Sequence, residues 1–176
     1  MSGNRTEAES GIDTPRNPAQ FRLPLCLLGV GLGGFLDGIV LHQILQWHHM
    51  ISDTGKGRMT TVAGLEANTL ADGVFHAWAF MVVLVALYLA MRTRRQDATA
   101  VLPPAGVLTG WLLVGWGAFN IIEGAVDHHL LAVHHVRDDV ADPLGWDLSF
   151  LGISIVLLVV GVVLVRRGLP RDPGRA

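Results

Sequence analysis

Four stretches of this sequence are mostly apolar over the length of a bilayer, at about residues 23–45, 70–91, 104–127 and 148–165. A helical span needs about 20 such residues. Long unbroken runs, as opposed to alternating ones, exclude transmembrane strands. The expected fold is therefore all-α: a four-helix transmembrane bundle occupying residues 21–166 as one domain, with no soluble core. Only 16% of the 176 residues are charged and the net charge is −2, so there is no basic footprint for nucleic acid. Membrane lipid is the expected surrounding. A single cysteine, Cys26, excludes an internal disulfide and a thiolate metal cluster.

Residues 1–20 are polar and rich in Pro, Gly, Asn and Ser, and are expected to be a disordered cytoplasmic segment. They lack the pattern of a cleaved signal peptide, so the first span is expected to direct its own insertion. Residues 167–176 are expected to form a cytoplasmic tail. Ten Arg residues flank the termini and the second loop, whereas only Lys56, Arg58 and Arg137 lie in the first and third loops. The positive-inside rule then places both termini in the cytoplasm, with the 46–69 and 128–147 loops outside. Trp47 and Trp146 fall at the expected outer interface.

The first and third spans repeat with a constant offset of 86 residues. Asp37-Gly38 matches Glu123-Gly124, His42 matches His128, and His48-His49 matches His134-His135. Gly29 and Gly31 match Gly115 and Gly117. Each half would be one hairpin of two spans, inserted the same way up, so the repeat is parallel. The second and fourth spans do not match well: the second carries Asp72 and His76, whereas the fourth has only Asp147 at its start, so the symmetry is expected to be broken there.

All eight histidines fall toward one end. At ~1.5 Å per residue, Asp37 and His76 lie roughly 21–23 Å from the inner ends, and His42, Asp72 and Glu123 roughly 27–30 Å. Ionisable groups within spans are costly, and they pair, bind ions or line wet cavities. Imidazoles and carboxylates from three helices at one level suit a transition metal such as copper, iron or zinc. The candidate metal residues are Asp37, His42, His48, His49, Asp72, His76, Glu123, His128, His134 and His135. His42, His76 and His128 with the three acids would form an inner site, and the remaining histidines an outer layer or entry site. One difficulty is geometric: residues five apart on an α-helix, such as Asp37 and His42, diverge by roughly 140°. Residues eleven apart realign, so a helix running on to about Val136 would bring Glu123 and His134 onto one face.

Other chemistries remain open. Haem between facing histidines is one alternative. A metal- or haem-dependent membrane oxidoreductase is another, and a proton- or ion-conducting protein, with a homodimer to enlarge the pathway, a third. The histidine boxes of membrane fatty-acid desaturases have a different spacing from HHLLAVHH at His128–His135, and soluble di-iron bundles use a Glu-x-x-His motif that is absent after Glu123.

The segments GFLDGIVLHQILQWHHM, ADGVFHAW and NIIEGAVDHHLLAVHHV resemble a family of small bacterial membrane proteins classed as a domain of unknown function. The resemblance covers about residues 21–166. It implies four spans in a bacterial inner membrane and no established activity. It also implies a link with cytochrome oxidase assembly, which makes a respiratory oxidase or its assembly factors candidate partners.

Overall fold

The structure, a computed structural model, describes residues 18–169. The remaining stretches of the expected N-terminal segment and tail lie outside the described residues. A short 3₁₀ turn, Pro18–Phe21, leads into α1 (Arg22–Asp37). Then come α2 (Val62–Gln96), α3 (Ala105–Glu123) and α4 (Leu144–Gly168). α1 and α3 each continue as a π-helical segment, Gly38–Ile44 and Gly124–Leu130. With those extensions, four helices are long and apolar enough to cross a bilayer, and no strand occurs among the described residues.

Helix ends follow local chemistry. The Thr61 hydroxyl caps α2 by accepting from the Gly64 amide at 3.0 Å. Pro104 and Pro143 precede α3 and α4, where a missing amide proton costs nothing. α2 has 35 residues and begins before the apolar stretch read from sequence. It is about 52 Å long at ~1.5 Å per residue, well beyond a hydrocarbon core of about 30 Å.

The packing is the reverse of a soluble bundle. Leu23, Leu70, Tyr88, Val156 and many other large apolar side chains face outward, as lipid-facing groups do. The helix contacts are made by small residues instead. α1 and α3 form the central pair, α2 packs on α1, and α4 packs on α3. A Cβ at Gly29 would collide with the Leu112 carbonyl, and one at Gly115 with the Cys26 carbonyl. Those two contacts are the same contact written twice, 86 residues apart. Such reciprocity is what a local twofold axis between α1 and α3 produces.

The outer helices obey the same symmetry at a different offset. Gly31 faces the Ala79 carbonyl and Val83 of α2, and Gly117 faces the Ser154 carbonyl and Leu158 of α4. α2 and α4 thus correspond at an offset of 75, which differs from the 86 of the central pair. Seven extra helical residues before Asp72 and four extra loop residues account for the shift. The two hairpins are structural copies, and the second and fourth spans match after all.

Candidate metal centre

The difficulty of the five-residue spacing is resolved by the backbone. Where α1 passes Asp37 the hydrogen bonds lengthen from i→i+4 to i→i+5, as in Leu45 N–H to Val40 O at 2.8 Å. The equivalent bond in the second repeat, Leu131 N–H to Val126 O, is 2.7 Å. A wider turn brings residue i+5 nearly above residue i, so Asp37 and His42 share a face, as do Glu123 and His128. π-helical turns of this kind occur chiefly at functional sites.

The helix does not run on to Val136. It stops at Ile44 in one repeat and Leu130 in the other. A single left-handed residue follows, Gln46 with φ 51° and Ala132 with φ 47°. Amides at Trp47 and Val133 turn back to the Leu41 and Asp127 carbonyls, both at 3.0 Å. The left-handed conformation costs a non-glycine residue roughly 1–2 kcal/mol. It folds the chain over the helix end and brings His48 and His134 down onto the group below. The eleven-residue alignment is reached by this turn, with no continuous helix.

Two buried triads result: Asp37, His42 and His48 in one, Glu123, His128 and His134 in the other. In each, one donor atom per residue lies within 4.8 Å of the other two. His42 Nε2 is 3.3 Å from Asp37 Oδ2, and His128 Nε2 is 3.2 Å from Glu123 Oε1. Neither pair has hydrogen-bond geometry, and His48 Nε2 also has no partner. Neighbouring donors around a tetrahedral metal with bonds near 2.1 Å are roughly 3.4 Å apart. Buried lone pairs at that separation without a shared hydrogen bond fit a common cation. His134 Nε2 does meet Glu123 Oε1 in hydrogen-bond geometry, at 3.2 Å.

The triads abut. The His48 and His134 rings stack with centroids 4.6 Å apart and planes 2° from parallel. Within each triad the His42–His48 and His128–His134 centroids are 4.5 and 4.9 Å apart. Across the axis, His42–His134 and His48–His128 are 6.1 and 6.2 Å apart. Phe75 stacks on His42 at 5.7 Å, and Phe150 lies against His128 at 5.5 Å.

A second ring of contacts orients the imidazoles. His48 Nδ1 donates to the Val136 carbonyl at 2.9 Å, and His134 Nδ1 donates to the Met50 carbonyl at 3.1 Å. Each repeat thereby fixes a ring of the other. A carbonyl can only accept, so Nδ1 of both rings carries the proton; His48 Nε2 is left without a partner, and His134 Nε2 faces the Glu123 carboxylate. His42 Nδ1 is 3.0 Å from Asp72 Oδ1, and His128 Nδ1 is 3.5 Å from Asp147 Oδ1. Asp72 also holds His49 Nδ1 at 2.6 Å and the Met50 amide at 3.0 Å. Asp147 holds His135 Nδ1 at 2.7 Å and the Val136 amide at 2.9 Å. Burial, more than any neighbouring group, drives the pKa of His48 down to about 2. Its imidazole is therefore neutral and keeps a free lone pair.

Of the ten residues singled out in the sequence, six form the triads. Asp72, His49 and His135 lie behind them. His76 belongs to neither group: its Nδ1 bonds the Asp72 carbonyl of its own helix at 2.7 Å, and its ring packs beside Gly38. The matching position in α4 is Leu151, which packs beside Gly124 in the same way. Asp147 is the residue sequence reading left out, along with the Met50 and Val136 carbonyls. A signal for it exists. Asp72, Phe75 and Ala79 recur as Asp147, Phe150 and Ser154, a weak pattern at an offset unlike that of the other spans.

Above the triads, the Ser52 hydroxyl and the Asp138 carboxylate cap the His49 and His135 amides and bond to each other across the axis. Burial raises the Asp138 pKa above the usual carboxylate value. The Arg137 guanidinium lies over both Trp47 and Trp146, about 5.1 and 5.0 Å from their centroids.

A family model described as "Predicted membrane protein (DUF2243)" matches residues 25–168. The chain belongs to that family. No curated protein and no solved structure matches it.

Proposed function

Starting from membership of this membrane family, we propose that the protein holds two divalent transition-metal ions side by side, one in each hairpin. The observation that carries this reading is the pair of buried triads, in which His42, His48 and His134 are hydrogen-bonded through Nδ1 and the Nε2 atoms of His42, His128 and His134 lie 3.2–3.3 Å from a carboxylate oxygen. Charge supports it as well. Asp37, Glu123, Asp72 and Asp147 are all nearly inaccessible. Four buried carboxylates match the charge of two divalent ions, whereas uncompensated they would be costly within the span of a bilayer. Imidazole and carboxylate together suit iron, zinc or copper. Each triad leaves coordination positions free, as centres that handle a substrate do. The protein then serves as a metal-handling or metal-dependent membrane protein, in the setting of oxidase assembly or of a membrane oxidoreductase.

The site lies at the end of the bundle away from Arg22, Arg92, Arg94, Arg95, Arg166 and Arg167. By the positive-inside rule, the metals face the periplasm of a bacterial inner membrane and both termini the cytoplasm. Elemental analysis of purified protein tests the metal reading: close to two ions per chain are expected in the wild type, one in His42→Ala and none in a His42→Ala, His128→Ala double variant. A wild type holding no more metal than the double variant would overturn it. Orientation is tested by cysteines at Thr54 and Thr99. The first should react with an impermeant maleimide in intact cells, the second only after lysis.

A further inference from the structure

Beside the Asp37 triad, between α1, α3 and α4, lies a cavity of about 160 Å³. Its walls are apolar except for three groups: the Asp37 carboxylate, the Asn120 amide and the Ser154 hydroxyl. Asn120 is 6% exposed and its side-chain oxygen has no hydrogen-bond partner. An unpaired buried acceptor costs roughly 1–3 kcal/mol, so its presence calls for a donor from elsewhere. Ser154 has already given its proton to the Phe150 carbonyl at 2.6 Å, so its oxygen too is left to accept. Asp37 and Asn120 thus supply the polar part of the wall, and Ser154 lies fully buried behind it.

The rim residues Leu36 and Ile153 are exposed, and both lie on bilayer-length apolar helices. The mouth therefore opens sideways toward hydrocarbon. In the other hairpin the equivalent place is filled. There, Gly34 stands where α3 has Asn120, and Trp78 stands where α4 has Ile153. The Trp78 and Phe75 rings fill the space over Gly34, stacking with Phe119 at 5.7 and 6.2 Å. One side of a near-symmetric molecule is plugged by aromatic rings, and the other carries a cavity beside an unpaired amide oxygen.

We propose that this cavity binds a lipid-dissolved, single-ring hydroxyarene, a phenol or the head group of a quinol, with its hydroxyl directed at Asn120 and Asp37. The volume agrees: a dry apolar cavity of ~150 Å³ holds one benzene-sized ring. The wall chemistry agrees, because Trp116 and the aliphatic rim suit a ring and the acceptors suit a hydroxyl. Asp37 belongs to both cavity and triad, so the bound hydroxyl would sit next to the proposed metal position. The inference rests on the cavity and not on metal occupancy.

The test is ¹⁹F NMR titration of the full-length protein in detergent, before and after treatment with EDTA. The probes are 4-fluorophenol and fluorobenzene, which differ only in the hydroxyl. The wild type should bind the phenol about tenfold more tightly, the effect of one hydrogen bond to a buried acceptor. Asn120→Leu should abolish that preference, and Ile153→Trp, which installs the plug of the other hairpin, should abolish binding of both probes. Equal affinity for the two probes in the wild type would overturn the proposal and leave a plain hydrocarbon or acyl-chain pocket. Phenol binding that survives both substitutions would overturn it by placing the ligand elsewhere. Phenol selectivity retained after chelation, in a protein that holds no metal as isolated, would support this inference while removing the metal reading.

Discussion

The α1–α2 and α3–α4 hairpins reach the same arrangement with different chain. The central helices keep one register, down to the left-handed residues at 46 and 132. The flanking helices supply the same aspartate and phenylalanine from different depths: Asp72 lies in the third turn of α2, and Asp147 in the first turn of α4. What the two hairpins share is the chemistry at the axis. What differs is lipid-side detail: the plug at Trp78, the cavity at Ile153, and His76 where the other copy has Leu151. The likeness of the two hairpins is thus concentrated on the two triads and the contacts that hold them, while the periphery differs.

That comparison can be broken most forcefully at the axis. Gly29→Ala and Gly115→Ala each drive a methyl group into the backbone of the other central helix, so each should destabilise the bundle by about 4 kcal/mol or more. Denaturation in mixed detergent should show the two losses to be alike. A large inequality would mean that the central contacts are not reciprocal in solution. One step down are the aspartates behind the imidazoles. Asp72→Asn and Asp147→Asn should each weaken metal binding by about 10–100-fold, as read by competition with a chromophoric chelator. If one were silent, the two hairpins would not be functional equivalents.

Smaller effects sharpen the picture. Gln46→Gly and Ala132→Gly should relieve a left-handed backbone and raise stability by up to about 1 kcal/mol in the same unfolding assay. A loss at either position would argue that the side chain itself matters there. Smallest of all is His76→Leu, which copies Leu151 into the first hairpin. Metal stoichiometry should not change, and stability should move by less than about 1 kcal/mol. Loss of an ion from this variant would restore His76 to the centre.

The bundle was legible because hydropathy reports bilayer length directly, and the 86-residue repeat was legible because Asp/Glu-Gly and the histidines recur in register. The second correspondence was hidden by an eleven-residue slip between Asp72 and Asp147. The π-helical turn was illegible for another reason. Assuming α-helical geometry, the five-residue spacing of Asp37 and His42 reads as an obstacle. Its recurrence at Glu123 and His128 was the available signal that the backbone, and not the side chains, departs from the α pattern. His76 misled because a histidine deep in an apolar span can satisfy itself on the carbonyl four residues back.

The exchange of carbonyls across the axis, Val136 for His48 and Met50 for His134, has a consequence for biogenesis. Neither hairpin aims the last imidazole of its own triad, His48 or His134. Val136 emerges from the ribosome long after His48, and Asp147 later still, so the first half of the nascent chain waits in the bilayer with an unfinished pocket. Completion of the paired pocket is in this way tied to completion of the polypeptide: a chain truncated before α4 would keep Val136 and lack Asp147, which holds the Val136 amide and the His135 ring.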